Sequence, residues 1–401
     1  MNKEILIAID SLDRYRFFKR FVNPLKSHGY RTHFITALPS IRFRAKNEYV
    51  STTLCEKSTP HELFDITRSL EYLSGETTED LTRKTYQSFY NATEKILKKN
   101  TTSQCFIWNG SRTQSLAVLD ACMQKGIPCL FFELSNLPNK IFIDPWGVSS
   151  ASRIYHDSKI LTEIDYLEEK YDLWKNSYLK EKRREKAPRQ ALKSKSLRLE
   201  YIIDLFLQFV LPTQKTTSYK LSLKKLIQRL LPKPKLPTPY ANVTNLDYLF
   251  FPMQVSNDSQ LILHSDINNA QALEIALQEA SSQNLALVIK AHPADTSPHS
   301  NKLLDEIVDN KHVFMSEKNT LDLIEHARAM IVINSSVGLE GHIIGSPPIK
   351  YLGRSAYSNL TSSELKNFIM NYLVDLDYFE NNDISNKSLE IVLDRKNLWM
   401  K

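Results

Sequence analysis

Short apolar runs that break off at polar residues recur along the chain, separated by stretches with helical spacing. The runs are rich in β-branched and aromatic residues, which is typical of buried parallel strands. They lie at 4–10, 32–36, 105–108, 127–132, 248–251, 285–289, 313–317, 330–333 and 347–352. Helices are predicted at 78–98, 113–125, 155–184, 268–283, 335–344 and 362–378. This alternation predicts an α/β protein with parallel sheets.

The length of 401 residues favours two domains, because single cores stop growing near roughly 250–300 residues. We predict two Rossmann-like domains that face a central cleft, one at 1–155 and one at 241–360. Between them, 156–240 is expected to be a helical, basic, proline-rich connecting segment. Its prolines at 188, 212, 232, 234, 237 and 239 mark a linker or domain boundary. Residues 361–401 are expected to pack back toward the first domain.

Positive charge is concentrated in the predicted insertion. Residues 180–235 hold 16 Lys/Arg and 4 Asp/Glu, a balance of +12, so the rest of a chain of net charge +7 is near −5. The segment contains the apolar stretch 201–211 and the amphipathic, basic stretch 221–231, which resemble an interfacial membrane anchor. A helical insertion packed on its own protein explains the same pattern equally well. No nucleic-acid motif accompanies the charge, so we expect no nucleic-acid partner.

Compartment signals favour the cytoplasm. The N-terminal apolar run is short and contains an Asp, which is unlike a signal peptide, and no run of about 18 apolar residues is present. The four cysteines show neither a CxxC pair nor a metal-ligand spacing. We therefore predict a reducing, cytoplasmic location. If the basic segment is an interfacial anchor, the protein would also contact the inner face of the plasma membrane peripherally.

Candidate chemistry lies where strands of the second domain end. The run at 285–289 leads to Lys290 and His292, and the run at 330–333 leads to Asn334, Ser335 and Ser336. The second run also opens a helix, so free N–H groups and a positive dipole end lie beside the serines. This combination suits a phosphate, and a nucleotide in particular. Taken singly, Lys290 fits a solvated strand end and Ser335 fits a helix N-cap.

The first domain offers a different candidate. No GxGxxG follows its first strand, which argues against a dinucleotide site there. Glu133 follows the run at 127–132 and could act as a general base or bind an acceptor. A solvated strand end or helix cap explains it equally well.

Several motifs together resemble one family. CFIWNGSRTQSLAVLDACMQKGIPCLFFELSNLPNKIFIDPWGV, FPMQVSNDSQ, KAHP and INSSVGLEGHIIGSPPIKYLG are similar in type and spacing to the bacterial capsule polysaccharide biosynthesis proteins. These include retaining β-Kdo transferases, which take Kdo (3-deoxy-D-manno-oct-2-ulosonic acid) from CMP-Kdo. The resemblance covers about 105–357 and weakens in the basic insertion. It implies a GT-B-like fold with the nucleotide on the second domain and the acceptor on the first.

The resemblance also implies residue roles. Asp258 in QVSNDSQ matches the proposed carboxylate nucleophile, and Lys290, His292, Ser335 and Ser336 match groups that bind the CMP phosphate. Glu340 matches a glutamate near the ribose. The predicted donor set also includes Asn334 and Gln260, and no metal or other cofactor is implied. The expected acceptor is a lipid-linked glycan or polysaccharide of capsule, O-antigen or lipopolysaccharide synthesis.

The proposed roles agree with elementary chemistry. CMP leaves as a phosphomonoester dianion, which cations and donors stabilise. A carboxylate on the opposite face can trap the oxocarbenium-like centre, and a second displacement restores configuration. Asp258 also fits a turn-forming Asx residue. Two other functions stay open: a CDP-glycerol-type polyol-phosphate transferase, which shares the HP and SS elements, and a non-catalytic membrane-surface scaffold.

Overall fold

The computed structural model describes residues 3–45, 47–162, 167–184, 199–216, 243–292, 295, 298–307 and 311–398. They belong to two compact units. The first comprises Met1–His156, Ser196–Leu230 and Asn371–Lys401, and the second Asp157–Lys195 and Leu231–Met370. Each unit contains its own sheet with helices, so the predicted α/β class with two Rossmann-like domains is confirmed. Much of the predicted insertion, including the amphipathic stretch 221–231, lies outside the described residues.

The first unit is built on a seven-stranded sheet. Its strands are β1 (Lys3–Ile9), β2 (Tyr30–Thr36), β3 (Val50–Leu54), β4 (Thr102–Trp108), β5 (Cys129–Leu134), β6 (Lys140–Asp144) and β12 (Val374–Asp375), in the order β12-β6-β5-β4-β1-β2-β3. The pairs among β3, β2, β1, β4 and β5 are parallel, as predicted, but β6 runs antiparallel to both β5 and β12. The loop that joins β5 to β6 is short. A short loop can connect neighbouring strands only if they are antiparallel, because parallel neighbours need a long crossover connection.

Aromatic side chains fill one side of this sheet. The helices of the unit are α1 (Leu12–Lys19), α2 (Val22–Ser27), α3 (Pro39–Arg44), α4 (Leu70–Leu73), α5 (Glu79–Leu97), α6 (Thr113–Gln124), α7 (Arg153–His156), α9 (Leu199–Val210) and α16 (Asn386–Asp394). Phe17, Phe18 and Phe21 pack from α1 and the turn after it onto Phe106 and Phe132. The rings of Phe18 and Phe132 meet edge to face at 5.1 Å, a favourable aromatic geometry.

Three cysteines meet on β4, α6 and β5. Cys105, Cys122 and Cys129 are buried, and their Sγ atoms all lie within 4.8 Å of one another. Cys105 and Cys129 are partners in the β4–β5 register, which brings them together despite their separation in sequence. Burial raises the pKa of the Cys105 thiol well above its usual range. A thiol held neutral in this way packs as a small apolar side chain.

The C-terminal segment is held to the first unit by a hydrogen bond to a buried carboxylate. The single helix predicted at 362–378 is wrong: α15 (Ser362–Asn367) passes into a π-helical turn, Phe368–Tyr372, and then into β12. Tyr372 donates its hydroxyl to Asp144 at 2.7 Å. Asp144 also accepts backbone N–H bonds from Trp146 at 2.8 Å and Arg153 at 3.0 Å. Strand pairing and this buried bond override the helical spacing.

The second unit has a five-stranded, fully parallel sheet. Its strands are β7 (Tyr248–Pro252), β8 (Ala286–Lys290), β9 (Val313–Met315), β10 (Ala329–Val332) and β11 (Ile349–Tyr351), in the order β11-β10-β7-β8-β9. The chain extends from β7 to β9 on one side and returns to β10 and β11 on the other. The order therefore reverses between β7 and β10, where doubly wound folds bind ligands.

The helices of the second unit follow the predicted alternation. They are α8 (Glu168–Arg184), α10 (Ser259–His264), α11 (Asn269–Ser282), α12 (Pro298–Ile307), α13 (Thr320–His326), α14 (Ser336–Ile344) and α15. The single helix predicted at 155–184 is wrong, because α7 ends at His156 and a 3-10 turn, Ser158–Leu161, precedes α8. Across the described residues, none of the helices is both long enough and apolar enough to span a bilayer.

Candidate active site at the carboxyl edge of the second sheet

Most of the predicted site residues lie at the carboxyl ends of three adjacent strands. Asp258 is in the loop after β7, Lys290 and His292 end β8, and Asn334 and Ser335 follow β10. These strands are neighbours in the order β10-β7-β8, so their loops emerge side by side at the point where the strand order reverses. The parallel register therefore gathers residues that are up to about 80 positions apart.

Two buried amides connect the loops after β7 and β10. Gln254 donates through Nε2 to Asn334 Oδ1 at 3.0 Å, and its own Oε1 accepts the Asn334 backbone N–H at 3.0 Å. Both side chains are buried, so this reciprocal pair satisfies groups that water cannot reach. It fixes the spacing of the two loops across the reversal point.

Asn334 uses its remaining hydrogen-bonding capacity on the protein as well. Its Nδ2 donates to the carbonyls of Gln260 at 2.7 Å and of His264 at 3.3 Å. Gln260 is the second residue of α10, and His264 is the last. The carbonyl of Asn334 accepts the hydroxyl of Tyr357 at 3.3 Å. The geometry assigns Asn334 a positioning role, and Gln260 is held to it through its backbone.

Asp258 is the N-cap of α10 and is partly exposed. Its Oδ1 accepts the backbone N–H of Gln260 at 3.0 Å, so the Asx-type structural role expected from the sequence is present. Within the part of the chain that the structure describes, Oδ2 has no hydrogen-bond donor. One oxygen of the carboxylate holds the loop, while the other is available for chemistry at the sheet edge.

Lys290 and His292 bring positive charge and hydrogen bonds to the same edge. The Nζ of Lys290 donates to the carbonyl of Lys318, and desolvation lowers the pKa of Lys290, although the charge of Glu340 opposes this. Desolvation also lowers the pKa of His292, and the carboxylates of Asp258 and Asp295 oppose it. The imidazole of His292 still reaches solvent at this edge of the sheet.

The loop after β8 is joined to the loop after β7 by a second contact. Ser256 donates its hydroxyl to Asp295 Oδ2 at 3.1 Å, and the backbone N–H of Asp295 bonds to the carbonyl of His292 at 3.0 Å. The sequence did not point to Asp295, because it lies beyond the KAHP motif. An acidic residue a few positions after a strand-end histidine is the only signal that could have suggested it.

The two serines lie at the N-terminus of α14. Ser335 is the N-cap and accepts the backbone N–H of Val337 at 3.2 Å, and Ser336 is the first helical residue. This end of the helix carries a positive partial charge suited to an anion. Gly338 is required here, because a Cβ would collide with the hydroxyl of Tyr351.

Glu340 is buried on α14 and is already engaged. Its Oε1 lies 3.0 Å from the Nζ of Lys182 and 3.4 Å from the hydroxyl of Tyr178, both on α8. The sequence analysis assigned this part of the chain to a helical, basic insertion and did not identify the contact with Glu340. The only signal was Tyr178 and Lys182 spaced four apart, which places them on one helix face.

Glu133 is not part of this group. It lies in β5 of the first unit, partly buried, where it pairs in register with Phe142. The other eight predicted residues all belong to the second unit. Their arrangement provides a partly exposed carboxylate, an imidazole, a lysine and a helix N-terminus at one sheet edge.

A doubly wound sheet with this set of groups at its reversal point defines an α/β protein of the class that binds ligands at this edge of the sheet. The family model for "Capsule polysaccharide biosynthesis protein" matches residues 106–364, which is more than half of the chain. The chain belongs to that family.

Individual relatives match shorter stretches. The chain is 26% identical over 149 residues to the Escherichia coli capsule polysaccharide export protein KpsS, covering 35% of this chain and 36% of the relative. It is 31% identical over 116 residues to protein FixF of Sinorhizobium fredii, covering 28% of this chain and 27% of the relative. The matched stretches thus span about a third of each curated relative.

Among solved structures, the β-Kdo 2,7 transferase of Thermosulfurimonas dismutans KpsC aligns over 99% of both chains, with 15% identity and a TM-score of 0.44. The β-Kdo 2,4 transferase of the same protein aligns over 73% of this chain and 88% of that chain, with 15% identity and a TM-score of 0.41.

Proposed function

We propose that the chain is a retaining glycosyltransferase that moves Kdo, or a closely related ulosonic acid, from the CMP-sugar to a lipid-linked or polysaccharide acceptor. The observation that carries the proposal is the grouping of Asp258, Lys290, His292 and the Ser335–Ser336 helix end at the reversal point of the second sheet. Membership of the capsule polysaccharide biosynthesis family supports the same class of reaction.

Departure of CMP is the step that this edge is suited to assist. The phosphate of CMP takes the electron pair of the breaking C2–O bond and leaves as a dianion. Lys290, the hydroxyls of Ser335 and Ser336, and the N–H groups at the start of α14 would stabilise that charge. His292 would donate a hydrogen bond. We propose that these groups act without a metal ion, since they supply the positive charge themselves.

Asp258 is the proposed nucleophile. Its carboxylate oxygen would form a bond to C2 as the C2–O bond to CMP breaks, which gives a covalent glycosyl-enzyme. An acceptor hydroxyl would then attack C2, its proton passing to a base, and Asp258 would leave as a carboxylate. Two inversions retain the configuration. Glu133 remains the candidate base from the first unit.

A lipid-linked acceptor requires access to the membrane surface. The proposal therefore places the protein on the cytoplasmic side of the plasma membrane, with a peripheral contact to anionic lipid through 180–235. The charge balance of +12 in that segment supports this location.

The test combines nucleotide binding with detection of the covalent intermediate. In a thermal-shift panel, CMP should raise the melting temperature, whereas UDP and GDP should not. Intact-mass analysis after addition of CMP-Kdo should show the mass of the protein plus one Kdo residue, located on Asp258 by peptide mapping. Stabilisation by UDP or GDP without CMP would refute the donor assignment.

Asp258→Asn is the sharpest variant, because asparagine is also a good N-cap and so preserves the structural role of Asp258. It should bind CMP as the wild type does, yet form neither adduct nor product. Asn257→Ala, at the exposed neighbouring position, is the matched control and should keep activity. An adduct that still forms in Asp258→Asn would exclude Asp258 as nucleophile.

A further inference from the structure

Three buried thiols converge in the core of the first unit. Cys105, Cys122 and Cys129 come from β4, α6 and β5, and their Sγ atoms all lie within 4.8 Å of one another. The three side chains are 0%, 0% and 1% exposed, and none of them is in a disulfide. Parallel strand pairing places Cys105 opposite Cys129, and the last turn of α6 contributes Cys122. The sheet and the helix therefore hold three sulfur atoms in one small group.

Sulfur is the whole donor set of this group. Among the described residues, no histidine or carboxylate joins the three thiols at the same spacing. Thiolates are soft ligands that select thiophilic ions, whereas magnesium and calcium prefer oxygen. A structural zinc ion takes four ligands, and this group offers three. The donor set therefore favours a thiophilic element that is satisfied by three sulfur atoms.

The spacing of the sulfur atoms suits a single atom at their centre. Metal–thiolate bonds are about 2.3 Å long, so three sulfurs in one plane around a bound atom lie about 4.0 Å apart. The three Sγ atoms are already within 4.8 Å of one another, so small side-chain adjustments are enough to reach this geometry. Strand pairing fixes two of the three positions in advance, which lowers the entropic cost of binding.

Burial of the group limits the net charge that a complex can carry. A charge placed there loses its hydration, which is costly unless the charge is compensated. Three thiolates carry three negative charges, so a monovalent or divalent ion would leave the complex negative. A trivalent ion leaves it neutral. Among thiophilic elements, charge balance therefore favours trivalent arsenic over copper(I), zinc and cadmium.

The exchange with arsenite balances without an oxidant or a reductant. Arsenous acid is a neutral molecule in which arsenic carries three hydroxyl groups. Each thiol forms an As–S bond as an As–O bond breaks, and the thiol proton leaves with the hydroxide as water. Three thiols thus give one neutral tris-thiolate and three waters, and neither arsenic nor sulfur changes its oxidation state.

The group lies close to an exposed turn, which provides a route of entry. Residues 123–126 directly follow Cys122 and are exposed, Met123 by 58%. The turn is closed by a backbone bond from the N–H of Ile127 to the carbonyl of Cys122 at 2.9 Å. Helix ends open locally at a much lower free energy than the whole fold. Opening of this turn would expose Cys122 to arsenite first, and closing would deliver the arsenic to the two strand cysteines.

We propose that Cys105, Cys122 and Cys129 form a binding site for trivalent arsenic. Each cysteine would supply one thiolate, and the bound arsenic would tie α6 to β4 and β5. The site belongs to the first unit, whereas the residues assigned to the sugar donor belong to the second. The proposal therefore goes beyond the proposed function and does not depend on it.

Native mass spectrometry of the full chain with arsenite tests the proposal, with the thiols kept reduced by a thiol-free phosphine. The wild type should gain one arsenic atom and lose three protons, and X-ray absorption at the arsenic edge should show three sulfur neighbours. Arsenite should also raise the melting temperature, because only the folded chain brings the three thiols together. A wild type that forms no adduct would overturn the proposal, and so would an adduct with fewer than three sulfur neighbours.

Cysteine variants locate the site. Cys122→Ala should weaken arsenite binding by at least about a hundredfold, since loss of even an outer-shell partner of a metal site costs about 10- to 100-fold. Cys129→Ala should do the same and replaces the first variant if that one does not fold. Cys55→Ala is the matched control, because Cys55 is also buried in the first unit but lies outside the group, and it should bind arsenite as the wild type does. Unchanged affinity in a variant of the group, or lost affinity in the control, would refute the site.

Two further measurements test the charge argument and the independence of the site. Equimolar zinc should not displace arsenic from the wild type, and displacement would refute the assignment to arsenic. Asp258→Asn should bind arsenite as tightly as the wild type, because the nucleophile candidate lies in the other unit. Failure of the arsenic site would leave CMP stabilisation and the glycosyl adduct unaffected, and failure of the transferase assignment would leave arsenite binding unaffected.

Discussion

The carboxyl edges of the two sheets use their charged residues differently. In the first unit, Arg112 lies between two carboxylates, with Nε 3.6 Å from Asp10 and Nη1 3.4 Å from Glu71. In the second unit, Lys290 bonds to a backbone carbonyl, and His292 remains accessible to solvent. The two ion pairs of Arg112 neutralise its charge within the chain, whereas the imidazole of His292 at the end of β8 faces solvent.

Two carboxylates, Asp144 in the first unit and Asp258 in the second, differ in the same way in burial and in the hydrogen bonds that they accept. Asp144 in the first unit is fully buried and accepts bonds from three backbone N–H groups and from Tyr372. Asp258 in the second unit commits Oδ1 to a helix cap and is partly exposed. The first carboxylate is therefore a stability element, and the second is suited to chemistry. Four predictions test this division, from the largest expected effect to the smallest.

Replacing Asp144 by alanine should cost the most stability. It leaves the backbone N–H groups of Trp146 and Arg153 and the buried hydroxyl of Tyr372 without their acceptor, for a loss of about 4 kcal/mol in the free energy of unfolding. Urea denaturation measures the change. The control Asp80→Ala removes an exposed helix-surface ion pair with Lys84 and should cost about 0.5 kcal/mol or less. Equal losses in the two variants would contradict the structural role of Asp144.

Acid should destabilise the second unit through His264. Burial, and then the charge of Arg354, lowers the pKa of His264 to about 4, whereas the unfolded chain has a histidine pKa of about 6.5. The unfolded state therefore binds the proton more tightly. Stability is fully present above about pH 6.5 and is lost as the pH falls toward 4, by up to about 3 kcal/mol.

Comparison with His264→Asn isolates this contribution. Unfolding free energies of both proteins are measured between neutral and acid pH, so that other titrating groups cancel in the difference. The variant should lose less stability than the wild type over this range. Parallel curves would show that His264 does not contribute to the acid sensitivity.

Lys290→Met should weaken CMP binding while the fold survives. Losing a partly desolvated cation that faces a phosphate should cost about 2 kcal/mol, which is about thirtyfold in affinity. Calorimetric titration with CMP measures it. Lys350→Met, which removes an exposed lysine paired with Glu279 on the same unit, should leave the affinity unchanged. A thirtyfold loss in both variants would indicate long-range charge rather than a contact.

The smallest effect should separate the cap from the chemistry of Asp258. Asp258→Ala should lower the free energy of unfolding by about 1 kcal/mol, because α10 loses its N-cap. Asp258→Asn keeps the cap and should change the free energy of unfolding by only about 0.3 kcal/mol, near the limit of measurement. Both should be inactive. Urea denaturation distinguishes them, and an equal loss of stability in the two variants would mean that the charge, rather than the cap, holds the loop.

Elements whose evidence is local were predictable. The strand ending at Lys290 and the helix beginning at Ser336 were correctly placed, because an apolar run and a serine N-cap report on their own neighbourhood. The single helix over 362–378 was not, because helical spacing there competes with the pairing of Val374 to Ile141 in β6. A strand-pairing partner more than 200 residues away produces no signal in the local sequence pattern.

The features of the candidate site also separate into those that local sequence predicts and those that only packing decides. The sequence by itself determined the α/β class, the alternation of strands and helices from β7 to β11, and which strand ends carry a carboxylate, an imidazole, a lysine and hydroxyls. Only the tertiary structure decided that Asn334 is spent on positioning, that Lys182 meets Glu340, and that α9 turns Asp204 inward. The reason is physical: periodicity records which residue types alternate, whereas the partner of a buried polar group is set by packing between distant segments.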